Sequence, residues 1–130
     1  MAFYLDTSAA AKLVVAEPAS DAMASWAATH ETQLIGSDLL RTELLRATRR
    51  AVPDLMQRAR AVLDTLTLFN LTSATFERAA TFDPEELRSL DALHLAAAME
   101  LDDELDGIVT YDDRMATAAA LHGIAVIAPL

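Results

Sequence analysis

Short strand-forming segments alternate with longer segments rich in alanine and leucine along the whole chain. Strands are predicted at residues 2–5, 33–36, 67–70, 107–110 and 124–128. Parallel strands need a crossover connection, which is usually a helix, and helices then cover both faces of the sheet. The alternation therefore predicts an α/β fold, a three-layer α/β/α sandwich with a short, mostly parallel central sheet.

Helices are predicted between these strands from apolar spacing and from residues that favour helix ends. Ser20 is a candidate N-cap, Pro53 ends one helix or opens the next, and Gly123 suits the position just after a helix. Residues 83–86 form a polar turn. The predicted helices cover residues 9–16, after a turn at residues 6–8, and residues 20–29, 37–51, 53–65, 75–82, 91–101 and 114–122.

Size and composition favour a single domain spanning residues 1–130, since 53% of the residues are hydrophobic. No apolar run approaches the roughly 20 residues needed to cross a bilayer, and residues 1–6 lack the features of a signal peptide, so we expect a cytoplasmic protein without a membrane partner. The absence of cysteine excludes thiolate metal sites, disulfides and cysteine nucleophiles.

The formal net charge of −10 argues against a protein that wraps nucleic acid through phosphate neutralisation alone. If the chain handles a phosphodiester, bound cations must offset part of the repulsion. An acidic surface also suits a basic protein partner.

Two aspartates directly follow predicted strands, and the carboxyl ends of parallel strands lie at one edge of a sheet. Asp6 follows the first strand, and Asp112 follows the strand at 107–110 through Tyr111. The alternative for Asp6 is a capping or turn role. Of Asp112 and Asp113, we favour Asp112 as the residue facing the cleft and expect Asp113 to cap the next helix.

Two further acidic residues lie beside apolar helix faces. Glu43 adjoins the stripe formed by its helix, where a charge needs a partner; the alternative role is an ion pair with Arg46 or Arg50. Asp91 opens an apolar helix and could simply be its N-cap. His94, three residues later, is more typical of a buried or positioning residue than of a catalytic one.

A converging set of carboxylates requires a cation. Two carboxylates about 4 Å apart repel by roughly 4 kcal/mol at an effective dielectric constant near 20. Oxygen ligands without cysteine favour Mg²⁺, with Mn²⁺ as a second possibility. Such an ion activates water and stabilises the charge that develops on a phosphate under attack.

Five segments resemble the PIN-domain nucleases, and more closely the VapC-type toxins of bacterial toxin–antitoxin pairs. They are residues 3–8 (FYLDTS), 37–44 (SDLLRTEL), 90–98 (LDALHLAAA), 109–114 (VTYDDR) and 123–129 (GIAVIAP). Their order and spacing together are more specific than any one of them, and the resemblance spans nearly the whole chain.

The resemblance implies a metal-dependent endoribonuclease, a hydrolase that cleaves RNA and inhibits translation. It assigns Asp6, Glu43, Asp91 and Asp112 to the acidic site, with Asp6 and Asp91 as direct Mg²⁺ ligands and the other two acting through water or a second ion. Thr7, Ser8, Thr110 and Asp113 would support them. It also implies a homodimer, and neutralisation by a VapB-type antitoxin in a hetero-oligomer.

Two other interpretations remain open on the sequence. One is another Mg²⁺-dependent phosphoryl-transfer domain, although an aspartyl phosphatase wants a second Asp where Ser8 stands, and a receiver wants an Asp where Asn70 stands. The other is a PIN-like binding module without activity, whose signature would be loss of the acidic residues.

Overall fold

The computed structural model describes residues 1–130 and contains a sheet of five strands that all run parallel. The strands are β1 (Ala2–Leu5), β2 (Leu34–Ser37), β3 (Thr67–Phe69), β4 (Leu105–Val109) and β5 (Val126–Ile127), in the spatial order β3-β2-β1-β4-β5. The first strand therefore lies at the centre. Strands β2 and β3 lie on one side of it, and β4 and β5 lie on the other.

Seven α-helices connect and cover these strands. They are α1 (Thr7–Lys12), α2 (Ser20–Thr29), α3 (Asp38–Ala51), α4 (Met56–Asp64), α5 (Ser73–Ala79), α6 (Ser89–Met99) and α7 (Asp113–Leu121). Short 3-10 helices occur at Glu31–Gln33, Pro53–Leu55 and Asp102–Glu104. None of the helices has both the length and the apolarity needed to span a bilayer.

Alternate residues of the central strands supply two separate hydrophobic cores. Leu5 of β1 and Val109 of β4 belong to a core that includes residues of α1 to α4. Tyr4 and Ile108, each one position earlier, face the opposite side and pack with residues of α6 and α7. Because successive side chains of a strand point to opposite faces, the sheet is covered on both sides and the fold is the predicted α/β/α sandwich.

The register between β1 and β4 determines which residues meet at the carboxyl edge. Leu5 pairs with Val109, and the Asp6 amide donates a hydrogen bond of 3.2 Å to the Val109 carbonyl. Asp6 and Thr110 therefore leave the sheet side by side. Two polar residues that are 104 positions apart in the chain become neighbours through this pairing.

The helix predicted for residues 9–16 begins earlier, at Thr7, and also ends earlier, at Lys12. Leu13 is its C-cap, and the buried Val14 belongs to the core that Leu5 also occupies. The apolar residues after Lys12 form a turn, and their side chains pack in or against this core. Their apolar character therefore indicated burial and not a helix. Ser20 was expected as an N-cap, but the N-cap is Ala19; the Ser20 hydroxyl closes the preceding turn by donating to the Val15 carbonyl.

One other predicted boundary differs in a way that affects the site. The helix expected to open at Asp91 begins at Ser89, after an N-cap, Arg88, that makes no capping bond through its side chain. Asp91 is the third helical residue, and the N-cap role considered for it is wrong. Gly123 has φ +74° directly after α7 and its C-cap, as predicted for a residue without a Cβ at this turn.

Candidate active site

A polar cavity of about 350 Å³ opens at the carboxyl edge of β1. Only one of its lining residues is hydrophobic, which distinguishes it from an ordinary packing defect. The lining residues are Asp6, Thr7, Ser8, Glu43, Arg88, Ser89, Leu90, Asp91, His94 and Asp112. The structure thus brings Asp6, Glu43, Asp91 and Asp112 to one cavity from four separate parts of the chain.

Asp6 is the most buried of the four acidic residues, with 4% of its surface exposed. It is the N-cap of α1, since Oδ1 accepts a hydrogen bond from the Ala9 amide (3.1 Å), and the Ser8 hydroxyl donates to the same oxygen (2.7 Å). Burial raises the pKa of the Asp6 carboxyl above its usual range, while these hydrogen bonds act in the opposite direction. Asp6 is both the cap and a wall of the cavity, so the two roles considered for it are compatible.

Thr110 and Ser8 fix the orientation of Asp6. The Thr110 hydroxyl donates to Oδ2 of Asp6 and accepts a hydrogen bond from the Asp112 amide (3.1 Å). The Ser8 oxygen accepts from the Tyr111 amide (2.9 Å). With one donor on Oδ2 and two on Oδ1, a lone pair of Oδ2 remains for a further ligand.

Glu43 is held by a histidine and a threonine. Nε2 of His94 bonds to Oε1 of Glu43, and the Thr7 hydroxyl donates to the same oxygen at 3.0 Å. The ion pair with Arg46 or Arg50 that was considered for Glu43 is absent, because its carboxylate is turned towards α6. Thr7 therefore belongs to the site through its hydrogen bond to Glu43.

His94 is itself part of a buried chain of hydrogen bonds. Its Nδ1 lies 2.7 Å from the Tyr4 hydroxyl, which lies 2.9 Å from the Ser37 hydroxyl. Burial raises the pKa of Tyr4, so the phenol keeps its proton. In the tautomer whose Nε2–H donates to Glu43, Nδ1 accepts from the Tyr4 hydroxyl, and Tyr4 accepts in turn from Ser37.

Asp91 and Asp112 line the remaining part of the cavity. Burial raises the pKa of Asp91, and the negative charge of Asp112 raises it further, whereas His94 acts in the opposite direction. Asp112 is the N-cap of α7, since its Oδ1 accepts from the Arg114 amide at 2.9 Å. A carboxylate whose pKa is raised by another carboxylate lies where a cation would be stabilised.

The expectation that Asp113 caps α7 is wrong. Asp112 is the cap, whereas Asp113 is the first helical residue, is exposed and does not line the cavity. The N-cap has an extended backbone that lets its side chain fold back over the first turn. The same geometry directs Asp112 to the sheet edge.

The comparisons with known proteins agree with one another. Residues 3–121 match the model of the PIN domain family. Ribonuclease VapC46 of Mycobacterium tuberculosis is 41% identical over 128 residues, which cover 98% of each chain. Ribonuclease VapC47 of the same species is 38% identical over 130 residues, with 97% of this chain and 96% of the relative covered.

The chain belongs to the VapC ribonucleases of the PIN-domain family. A solved structure shares their fold: Mycobacterium tuberculosis VapC20, described as a toxin that cleaves the sarcin–ricin loop, matches with a TM-score of 0.77 over 98% of this chain and 100% of its own. Its sequence identity is 17%, so this likeness concerns the fold alone. VapC proteins in general pair with VapB antitoxins and bind RNA.

PIN-domain ribonucleases generally depend on a divalent metal, and the donors in this VapC cavity are suited to a hard cation. Carboxylate and hydroxyl oxygens line it, and the mutual repulsion of Asp91 and Asp112 is relieved by positive charge. No three acidic or histidine side chains are close enough to surround one ion by themselves. Any ion held here would therefore take part of its coordination shell from water.

Several residues of the VapC site were not found from the sequence. Tyr4 and Ser37 were assigned to a strand and a helix start within the resembling segments but were given no role in the site, and Arg88 and Ser89 were not assigned at all. The signal for Tyr4 was a hydroxyl in a strand with both faces covered, where a buried polar atom needs a partner. The partner itself, His94, lies 90 positions away and cannot be read from spacing.

Proposed function

We propose that this VapC protein is an endoribonuclease toxin that hydrolyses RNA phosphodiester bonds with Mg²⁺ as cofactor and thereby inhibits translation. Mn²⁺ is the alternative ion for the same oxygen donors. The observation that carries the proposal is the presence of Asp6, Glu43, Asp91 and Asp112 around one cavity at the carboxyl edge of the sheet. An inactive binding module would not need to hold four acidic groups together against their repulsion.

The residues would divide the work according to their surroundings. Asp6 and Asp91 would be direct ligands of the ion, with Asp112 beside Asp91 completing the ligand set, partly through water. A bound Mg²⁺ ion would supply activation of water and relief of negative charge on the phosphate. Glu43, held by His94 and Thr7, would orient a water molecule.

The hydroxyl groups would keep the acidic side chains in position. Thr110 and Ser8 hold the Asp6 carboxylate from two directions, which leaves one lone pair of Oδ2 for a ligand. Outer groups of this kind reduce the reorganisation that a metal site undergoes when it binds an ion. Asp113, which is exposed outside the cavity, would have no direct part.

We further propose that residues 1–130 form one cytoplasmic PIN domain. It would act as a homodimer and would be neutralised in a hetero-oligomer with a cognate VapB-type antitoxin. The support is similarity to VapC ribonucleases over 97–98% of the chain, and the net charge of −10 suits a basic antitoxin segment. Co-purification of the chain with the product of an adjacent antitoxin gene would test the pairing.

The central experiment compares RNA cleavage by three matched variants after all metal has been removed with EDTA. Cleavage should return with Mg²⁺ or Mn²⁺, and Asp6→Asn and Asp91→Asn should each reduce its rate roughly 100-fold or more, as for the loss of a group that stabilises transition-state charge. Asp113→Asn removes the same charge outside the cavity and should keep the wild-type rate.

Two results would contradict the proposal. Cleavage that survives exhaustive EDTA treatment would remove the metal from the reaction. Equal activity of the Asp6, Asp91 and Asp113 variants would show that the cavity is not the active site. Binding of RNA without cleavage and without appreciable binding of Mg²⁺ or Mn²⁺ would instead favour the inactive module.

A further inference from the structure

A second cavity of about 780 Å³, larger than the acidic one, adjoins the acidic site. The two cavities share Thr7, Glu43 and Leu90 as lining residues, so they lie side by side. The larger one extends along α3 and is bounded on its other side by residues around α5 and the start of α6. Its remaining lining residues are Asp38, Leu39, Thr42, Arg46, Ala47, Arg50, Asn70, Leu71 and Phe76.

Helix α3 presents one face to the core and another to this cavity. Its buried residues are Leu40, Leu44 and Thr48. Arg46 and Arg50 lie three and seven positions after Glu43 and share its face. With a rise of 1.5 Å per residue, they stand about 4.5 Å and 10.5 Å along the helix axis from Glu43. The face thus begins at the acidic site and continues as a row of guanidinium groups.

These arginines are concentrated and unpaired in a chain with a large excess of acidic residues. Four of the ten basic residues lie on α3, although the chain has 20 acidic ones. The ion pairs of the structure are Lys12–Glu17 and Glu43–His94, so neither Arg46 nor Arg50 has a carboxylate partner. Arg46, Arg49 and Arg50 also line a further cavity of about 370 Å³. The positive surface therefore extends beyond the larger cavity.

An exposed aromatic ring lies on the other side of the same cavity. Phe76 of α5 is 49% exposed and Leu90, where the two cavities meet, is 47% exposed. Both side chains line the larger cavity, and apolar side chains grouped with a few polar ones in a cavity are typical of a binding site. A free aromatic face opposite guanidinium groups is the combination that single-stranded nucleic acid uses, through stacked bases and paired phosphates.

We propose that the larger cavity carries the strand of RNA that flanks the cleaved bond, with phosphates on Arg46 and Arg50 and a base stacked on Phe76. This inference rests on the proposed function, because it places the cleaved phosphate at the acidic site. Two arginines on successive turns match the repeating charge of a backbone that runs along α3. An acidic protein segment would satisfy the arginines but would leave Phe76 without a planar partner.

The test uses a short fluorescent single-stranded RNA and measures its Kd without divalent ions, then kcat and KM for its cleavage with Mg²⁺. Arg46→Gln/Arg50→Gln should raise Kd and KM about ten-fold or more, because charge-assisted hydrogen bonds to phosphate are removed. It should also lower the slope of log Kd against log salt by about 0.7 for each phosphate that is no longer neutralised. The kcat should change little, because the acidic residues are intact.

Matched controls separate local contacts from net charge. Arg41→Gln/Arg60→Gln removes two charges from exposed residues of α3 and α4 that do not line the cavity, and should leave Kd, KM and kcat at wild-type values. Phe76→Leu should raise Kd about ten-fold through the loss of stacking, whereas Phe76→Tyr should retain the wild-type Kd.

The outcomes distinguish this proposal from the proposed function. If the wild type cleaves RNA and both arginine double variants behave alike, the path along α3 is wrong and the ribonuclease assignment stands. If no RNA is cleaved, the function fails, while a Kd that depends on Arg46, Arg50 and Phe76 still supports the path. A third outcome is that the Arg46→Gln/Arg50→Gln variant binds RNA like the wild type but fails to bind an oligoglutamate peptide that the wild type binds. That result would overturn the RNA path along α3 and assign the two arginines to an acidic partner.

Discussion

His94 on α6 bonds through Nε2 to the carboxylate of Glu43 on α3, 51 positions earlier in the chain. The other nitrogen of the ring faces the Tyr4 hydroxyl in β1. Each of the three residues belongs to a different element, so the direction of the Glu43 carboxylate depends on how these elements pack. A buried chain of hydrogen bonds thus connects the centre of the sheet to the cavity.

Tyr4→Phe should weaken both the fold and cleavage. The ring is retained, but His94 Nδ1 and the Ser37 hydroxyl lose their partner, at a cost of roughly 1–2 kcal/mol in the free energy of unfolding. Cleavage should fall about 10-fold or more, since outer groups that orient a site typically contribute that much. Ser37→Ala is the control, because it keeps the bond between Tyr4 and His94 and should keep the cleavage rate. Urea denaturation and kcat measured on the same samples check both effects, and equal rates for the two variants would contradict the role of Tyr4.

Asp6→Asn should stabilise the metal-free protein at neutral pH. Because burial raises the pKa of Asp6 in the folded state, the folded protein binds more protons than the unfolded chain between the usual pKa and the raised one. The free energy of unfolding of the wild type therefore falls as pH rises through that interval, and the loss persists above it. The asparagine side chain carries no charge and can still accept the bond from the Ala9 amide.

The measurement is chemical denaturation in EDTA from about pH 3 upwards, where an ordinary aspartate begins to ionise. The stability difference between Asp6→Asn and the wild type should grow with pH. Saturating Mg²⁺ should reduce it, since the ion stabilises only the protein that binds it. A difference that is independent of pH would show that Asp6 is not desolvated in solution.

Thr110→Val tests the support of the Asp6 carboxylate. The substitution keeps the shape of the side chain but removes the hydroxyl that donates to Asp6 and accepts from the Asp112 amide. Leaving these buried groups without partners should cost roughly 1–3 kcal/mol in unfolding free energy. Metal affinity or activity should fall about 10- to 100-fold.

Thr110→Ser retains the hydroxyl and is the matched control. It should keep the metal affinity and the cleavage rate close to the wild type, with at most a small loss of stability from the missing methyl group. Calorimetric titration with Mn²⁺ gives the affinity independently of catalysis. Equal Mn²⁺ affinity for the Val and Ser variants would separate Thr110 from the metal site.

Helix boundaries were predicted less well than the sheet. The helix expected to reach residue 16 ends at Lys12, because the apolar residues that follow are buried in a turn, and apolar composition does not distinguish these cases. Asp91 was placed at the start of its helix, yet α6 begins two residues earlier without a capping side chain. Sequence signals for helix ends are weak where tertiary contacts replace the cap.

The sequence by itself determined the parallel α/β architecture and the position of Asp6 and Asp112 near strand ends. Local patterns suffice for this, because the strands are parallel and their carboxyl ends all meet one edge. Only the tertiary structure decided that Asp112 lines the cavity while Asp113 does not, and that Glu43 pairs with His94 and leaves Arg46 and Arg50 without a carboxylate. These choices depend on the angles at which separate helices pack against the sheet, which no local spacing encodes.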